Sequence, residues 1–520
     1  MTSAITKMLN PTRLLGTVSA LVLIVWLTAI VSPGQTFSTM ASFDGTNGAG
    51  PQYMSLVQGR DGNFYGTTGG GGANSAGTVF KIAPSGGLTT LYSFCAQVNC
   101  TDGAQPWAGL TQAGDGSFYG TTEYGGTPYC GQFQNGCGTV FKITLGGALT
   151  TLHAFNNADG AYPYAALIQA FDGDFYGTTS KGGANGEGTV FKITARGALA
   201  ALHSFNYYSD GAYPYAALIQ GTDGSFYGTT VEDSASLYGT IFRVTPSGVL
   251  TTLYRFCTQD DCADGAFPYA ALIHATDGNF YGTTFSGGTD HINCAGYPGG
   301  CGSIFTITRS GKLTTLHSFD LSDGGDLYGG LLQATDGHFY GTTNWAGPGG
   351  LGTVFGLSVG LDPFVTFVLS SGKVGRTVEV LGQGFTNTTA VSFSGIAATF
   401  TVVSDTYVKA TVPSGATTGP VTVTTPGGIL TSNKPFRVKP VILSFSPTSG
   451  SVGTAVTVTG NSLSQTTKVS FCGALATSFT VNSDTLVTAT VPTGAPTTGH
   501  IEVITPGGLA VSQGEFTVTQ

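Results

Sequence analysis

Apolar and polar residues alternate along most of this chain in runs of five to seven residues, bounded by Gly, Pro, Asp or Asn. A period of two argues for half-buried strands, and the runs are too short for helices. Between residues 36 and 359 the runs recur as a unit. Its clearest copy opens with Leu149-Thr150-Thr151-Leu152-His153-Ala154-Phe155 and passes through Asp159-Gly160-Ala161-Tyr162-Pro163-Tyr164 to Ala165-Ala166-Leu167-Ile168-Gln169. Asp172-Gly173-Asp174-Phe175-Tyr176-Gly177-Thr178-Thr179 follows, then a Gly-rich stretch and Gly188-Thr189-Val190-Phe191-Lys192-Ile193. The tetrapeptide Tyr-Gly-Thr-Thr starts at Tyr65, Tyr119, Tyr176, Tyr227, Tyr281 and Tyr340, at intervals of 54, 57, 51, 54 and 59 residues. Four antiparallel strands in such a period predict a β-propeller blade.

Strand counts give the number of blades. Segments like Ala-Leu-Ile-Gln lie near Leu56, Leu110, Leu167, Leu218, Leu272 and Leu331, and segments like Gly-Thr-Val-Phe begin at Gly77, Gly138, Gly188, Gly239, Gly302 and Gly352. The Leu-Thr-Thr-Leu strand begins at Leu88, Leu149, Leu199, Leu250 and Leu313 and has no copy after Gly352. Its sixth copy is residues 37–43, at the other end of the repeat region. The pattern predicts a six-bladed propeller over residues 36–359, closed by the N-terminal strand so that no sheet edge stays free. Within each blade, Tyr-Gly-Thr-Thr reads as a strand whose Gly admits a neighbouring backbone.

From about Asp362 a different pattern appears. Val378-Glu379-Val380-Leu381-Gly382, Val391-Ser392-Phe393 and Thr425-Pro426-Gly427-Gly428 recur as Val456-Thr457-Val458-Thr459-Gly460, Val469-Ser470-Phe471 and Thr505-Pro506-Gly507-Gly508. Two modules of alternating strands, residues 362–438 and 440–520, imply two immunoglobulin-like β-sandwiches. The second opens with Pro447-Thr448-Ser449-Gly450 and resembles an IPT/TIG domain; the first lacks that Ser-Pro opening, which leaves its first strand undefined. The propeller repeat, through Asp-Gly-x-Phe-Tyr-Gly-Thr-Thr and Gly-Thr-Val-Phe-Lys-Ile, resembles the GloVer-type tandem repeats of bacterial surface proteins. The resemblance implies fold and an envelope location, and it brings no activity with it. In the IPT/TIG family such domains serve as spacers and interaction modules.

Composition sharpens the picture. The chain has 520 residues, 81 of them Gly, with only 9% charged and a net charge of −9. An acidic chain lacks the basic footprint of a nucleic-acid binder. Residues 1–34 place Lys7 and Arg13 before an apolar run at 14–31 and then Ser32-Pro33-Gly34, which reads as a signal peptide or a retained N-terminal membrane anchor. Apart from that segment no membrane contact is expected. Eight of the nine Cys fall in close pairs whose four- and six-residue gaps fit zinc knuckles poorly, so Cys95–Cys100, Cys130–Cys137, Cys257–Cys262 and Cys294–Cys301 are expected as disulfides of an exported protein rather than metal sites. Cys472, the ninth, is expected as a small buried apolar residue.

Candidate chemistry sits where the copies differ. Asp61, Asp115, Asp172, Asp223, Asp277 and Asp336 precede Gly and read as turn residues. Asp102, Asp159, Asp210, Asp264 and Asp323 occupy the longer loops of the opposite face, near Trp107, Tyr162, Tyr164, Tyr213, Tyr215, Phe267 and Tyr269. Tyr124, Tyr129, Phe133, Tyr297 and Trp345 lie in the loops after Tyr-Gly-Thr-Thr. Aromatic faces stack on sugars and carboxylates bind hydroxyls, so these residues are the candidate ligand set. His153, His203 and His317 share one strand position with Tyr92 and Tyr254 and read as packing residues. Catalytic motifs of the hydrolase-elbow, zinc-protease and P-loop kinds are absent, and no cofactor or metal is expected. The expected function is that of an exported, monomeric, non-enzymatic scaffold binding a glycan or a cell-surface protein, in carbohydrate binding or adhesion. A polysaccharide hydrolase or lyase and a purely structural envelope protein are the alternatives.

Overall fold

The computed structural model describes residues 42–519 apart from 52–55, 60, 62, 84–85, 114, 128–129, 131–134, 171, 290–293, 295–298 and 349–350. The expected signal segment, Tyr129, Phe133, Tyr297 and most of the expected closing strand therefore lie outside the described residues. The propeller repeat folds into five four-stranded sheets and one three-stranded sheet, each antiparallel and each in chain order from its innermost strand outwards. In the third sheet the strands are Ile168–Gln169, Phe175–Thr179, Thr189–Ile193 and Leu199–Ser204. Leu332–Gln333, Phe339–Thr342 and Val354–Leu357 make the sixth.

The tetrapeptide ties each sheet to itself and to the next. Its Tyr hydroxyl donates to the Asp four residues earlier in all six copies, from Tyr65 to Asp61 at 2.7 Å through Tyr176 to Asp172 at 2.8 Å to Tyr340 to Asp336 at 2.9 Å. The other carboxylate oxygen accepts the backbone N–H two residues on, as at Asp172 and Asp174, 3.1 Å. The Asp is thus a turn residue, as expected, and a tether for the Tyr. The held ring packs on the Phe of the next sheet's Phe-Tyr-Gly-Thr-Thr strand. Centroid distances are 4.3 Å for Tyr65 and Phe118, 4.0 Å for Tyr119 and Phe175, 4.0 Å for Tyr176 and Phe226, 4.1 Å for Tyr227 and Phe280, and 4.3 Å for Tyr281 and Phe339. Such pairs add about 0.5–1.5 kcal/mol beyond area burial.

The first Thr then crosses to the next sheet, donating from Thr178 Oγ1 to the Ala216 carbonyl at 3.2 Å and from Thr67 to Ala108 at 2.8 Å. The second stays within its sheet, Thr179 Oγ1 lying 2.8 Å from Thr189 Oγ1. Gly departs from expectation. A Cβ on Gly177 would lie 2.7 Å from Phe191 Cζ and 2.8 Å from Leu167 Cδ2, so it is side chains of the flanking strands, and not a backbone, that demand glycine.

A second row of aromatic contacts runs between outer and third strands of successive sheets: Phe94 with Phe141 at 5.1 Å, Phe155 with Phe191 at 5.2 Å, Phe205 with Phe242 at 5.1 Å, Phe256 with Phe305 at 5.2 Å and Phe319 with Phe355 at 5.0 Å. Phe43 meets Phe80 at 5.0 Å in the same edge-on manner. It holds against the first sheet the place that each outer-strand Phe holds against its successor.

Each C-terminal module is a sandwich of two sheets. In the first, one sheet runs Thr366–Phe367, Thr377–Leu381, Tyr407–Thr411 and Phe400–Ser404 in spatial order, and Val378, Val380, Phe393, Val408, Val423 and Phe436 fill the core. Its opening strand is only two residues long, against Val441–Ser446 in the second module, which has the Ser-Pro opening. The sandwiches join through a reciprocal pair, Thr418 N–H to Gln465 Oε1 at 2.9 Å and Gln465 Nε2 to the Thr418 carbonyl at 3.1 Å. The first meets the propeller at Thr335, whose carbonyl accepts the Phe364 N–H at 3.0 Å and whose hydroxyl accepts from Gln383 Nε2 at 3.2 Å.

Three outcomes follow from these contacts. Tyr176→Phe removes one hydrogen bond and keeps the stacked ring, so it should lower stability by about 1 kcal/mol in thermal or urea unfolding. Gly177→Ala overpacks the Phe191 and Leu167 contact and should destabilise by about 1–3 kcal/mol in the same measurement. The third concerns acid. Partial burial pushes the Asp61, Asp115, Asp172, Asp223 and Asp336 carboxyls up, but hydrogen bonds from Tyr and backbone, with Lys142 at Asp115 and Lys192 at Asp172, hold them below the ordinary 3.8. A lowered folded value gives stability that is present above the unfolded value and is lost as pH falls through the folded one. Circular dichroism should therefore show the propeller resisting acid down to about pH 4 and losing stability below it.

Candidate functional site

The loop leading into each sheet pairs with the loop after Tyr-Gly-Thr-Thr through a two-way backbone bridge, Ala104 with Tyr124, Ala161 with Lys181, Ala212 with Glu232, Ala266 with Ser286 and Gly325 with Trp345. Two side-chain positions beside the bridge recur from sheet to sheet. One is the aromatic of Tyr-Pro-Tyr-Ala-Ala: Trp107, Tyr164, Tyr215, Tyr269 and Tyr328. These five line a single axial cavity of about 990 Å³, to which all six sheets contribute through segments such as Leu56, Leu110, Ala165, Ala216, Ala270 and Gly329. Neighbouring rings touch, with centroids 5.2 Å apart for Tyr164 and Tyr215, 6.1 Å for Tyr215 and Tyr269 and 5.5 Å for Tyr269 and Tyr328. Phe285 wedges against Tyr269 and Tyr328 at 5.7 and 4.8 Å.

The other position directly follows the tetrapeptide, and here the copies diverge: Gly69, Glu123, Ser180, Val231, Phe285 and Asn344. Glu123 is 4% exposed, and it is the one acidic residue among the described residues lining the cavity. Trp107 Nε1 donates to its Oε2 at 2.7 Å, and the Tyr164 hydroxyl donates to its Oε1. Burial together with this carboxylate pushes the Tyr164 hydroxyl far up its scale, so it stays protonated and a donor. The indole lies over Gly69, where a Cβ would strike it. Glu123 therefore fixes two aromatic walls of the cavity, one from the second sheet and one from the third.

The expected ligand residues divide into two groups. Trp107, Tyr124 and Tyr164 line the cavity with Glu123, as do Tyr215 and Tyr269. The loop aspartates are each held by the outer strand that precedes them. Asp102 accepts from the Tyr92 hydroxyl at 2.8 Å and the Ala96 N–H at 2.9 Å, and Asp264 from the Tyr254 hydroxyl at 2.7 Å, both with no exposed surface. Asp159, Asp210 and Asp323 lie 2.8, 2.9 and 2.7 Å from Nε2 of His153, His203 and His317. These carboxylates organise their own loops. In the His and Tyr series each ring packs edge-on against a Phe, the packing role read from the sequence, and its polar tip in addition holds the loop aspartate. Tyr162 packs on Tyr124 at 5.4 Å, Phe267 on Tyr238 at 5.5 Å, and Tyr213 carries the Lys181 ammonium 3.6 Å from its ring centroid. Trp345 is 47% exposed. All four expected cysteine pairs are bonded, and Cys95–Cys100 and Cys257–Cys262 close the loops that Asp102 and Asp264 brace. Cys472 is half-buried, its thiol pushed up by burial and by Glu515.

Sequence reasoning passed over Glu123, Phe285 and Tyr328. The signal for the first two was the variable position adjoining an invariant motif; for Tyr328, its alignment with Tyr164 despite the Leu327 that replaces Pro.

The Gloeobacter/Verrucomicrobia repeat matches residues 27–135 and 130–355, and the IPT/TIG domain matches residues 363–438 and 440–518. No curated protein matches the chain. Among solved structures, SGBP-B from a xyloglucan utilization locus in Bacteroides uniformis is 21% identical over 29% of this chain and 48% of its own, with a TM-score of 0.16. The surface glycan-binding protein PbSGBP-B from Prevotella bryantii is 19% identical over 28% of this chain and 38% of its own, at 0.23. This chain thus spans less than half the length of either. A fungal alcohol oxidase of the AA5 family is 14% identical over 89% of this chain and 96% of its own, at 0.37. TM-scores this low carry no argument about what the chain binds. The repeat match, by contrast, spans well over half of the sequence: the chain belongs to the Gloeobacter/Verrucomicrobia repeat family and carries two C-terminal IPT/TIG domains.

Proposed function

We propose that this chain is an exported, non-enzymatic binding protein that holds a glycan in the axial cavity of its propeller. The observation that carries this reading is the run of Trp107, Tyr164, Tyr215, Tyr269 and Tyr328 around one cavity, with Glu123 fixing the first two. Flat aromatic faces around a concave site, with few and well-placed polar groups, suit a ligand that offers C–H faces and hydroxyls. The rigid parts of the repeat hold this set in place, and the varied loops give each sheet a different contribution to it. Four disulfides in the loops of that face suit an oxidising, extracytoplasmic setting. The paired sandwiches act as a stalk or a contact module. Glycoside hydrolysis ordinarily needs two carboxylic groups across the bond to be cut. Glu123, held by an indole and a phenol, serves better as a positioning group than as an acid or base.

The test is retention on polysaccharides in affinity gels, followed by calorimetry with the oligosaccharide retained. Trp107→Ala and Tyr164→Ala should each weaken binding by about tenfold or more, about 1.4 kcal/mol, with circular dichroism checking that each variant is still folded at the assay temperature, since each leaves one Glu123 oxygen without its donor. Glu123→Gln should weaken it less, because the amide keeps one acceptor oxygen and loosens only one of the two rings. Undiminished binding in the Trp107 and Tyr164 variants would exclude the cavity as the site.

A further inference from the structure

The cations of the propeller are segregated along its axis, most of them at the end where the Asp-Gly carboxylates answer them. Lys81, Lys142, Lys192 and Arg243 share one third-strand position opposite the Tyr of the tetrapeptide, next to the Asp-Gly turns. Arg196, Arg309 and Lys312 sit in the tight turns that follow that strand. All seven are at the short-turn end. Among the described residues, the propeller's remaining cations are Lys181 and Arg255, at the variable-loop end, and both are occupied. The Lys181 ammonium rests 3.6 Å from the Tyr213 ring centroid, between the charges of Glu187 and Glu232. Arg255 forms an ion pair with the fully buried Asp233 and donates to the Ser209 carbonyl.

One carboxylate lines the cavity, and others stand at the same end. Glu123 lines it. Glu232 acts electrostatically on the cavity tyrosines Tyr215 and Tyr269. Asp326, two residues before Tyr328, is partly buried and held above its ordinary value by that burial. A ligand approaching the aromatic ring thus meets negative charge with no free cation to answer it. Within about one Debye length, roughly 8–10 Å at physiological salt, such a field repels anions and attracts cations. Repulsion of the wrong partner is as effective a source of specificity as attraction of the right one.

We infer that the cavity selects uncharged or amino-sugar glycans and rejects uronate and sulfated ones. This rests on the reading of the cavity as a glycan site, and the following experiment separates the two. The full-length protein is run in affinity gels and by calorimetry against a neutral β-glucan, chitosan oligomers and polygalacturonate, at low and high salt. The expected result is binding of the neutral chain insensitive to salt, binding of chitosan weakened severalfold by salt, and no retention by polygalacturonate at low salt. Glu232→Gln with Asp326→Asn should reduce the chitosan preference severalfold and leave the neutral chain bound as before. Polygalacturonate held as tightly as the neutral glucan would overturn the charge selection while keeping the glycan site. Failure to bind all three would overturn the glycan site and the selection with it.

Discussion

The propeller depends on one interaction made over and over: a tyrosine clamped at its hydroxyl by an aspartate of its own sheet and at its ring by a phenylalanine of the next. Tyr176 shows both ends, with Asp172 at 2.8 Å and Phe226 at 4.0 Å between centroids. The clamp fixes the spacing of adjacent sheets, because the ring cannot move outwards without breaking the hydrogen bond or inwards without colliding with the Phe. Glycine next to the Tyr is needed so that Phe191 and Leu167 can pass beneath, and Thr178 then locks to the neighbouring carbonyl. Four successive residues therefore each have a separate structural duty, which accounts for their recurrence without any chemistry at the tetrapeptide itself.

With the sheets held at fixed spacing, the loops at the far end inherit fixed positions. The backbone bridge from Ala161 to Lys181 and its counterparts hold the loops from which five sheets each bring one aromatic to the cavity, and the second also brings Glu123. The loops are braced a second time from below, by His or Tyr on the outer strand reaching the loop aspartate, and in two sheets by a disulfide as well. Side chains presented on such loops have little conformational freedom left to lose.

The strands and the repeat were legible because periodicity of two and a constant motif report directly on backbone pairing. Partner identity across space was less so. Nothing in the order of residues says that Gly177 makes room for a phenyl ring, since Phe191 is 14 residues away and pairs with it only through sheet register. The loop aspartates looked available because they stand beside aromatics in a polar stretch; whether a carboxylate faces solvent or its own loop is decided by a strand residue six to ten positions earlier, as with His153 and Tyr92. Glu123 escaped notice for a related reason. It is single in the repeat, and its meaning comes from an indole and a phenol contributed by two different sheets.

The attachment of the first sandwich at Thr335 has a directional consequence. Thr335 belongs to the Asp336-Gly337 hairpin, and a Cβ on Gly337 would run into the Leu361 carbonyl, so this joint is tight as well as hydrogen-bonded. That hairpin is at the short-turn end. The first sandwich therefore joins the propeller at its short-turn end, opposite the loops that carry the aromatic ring. A surface that held the sandwiches would leave those loops uncovered.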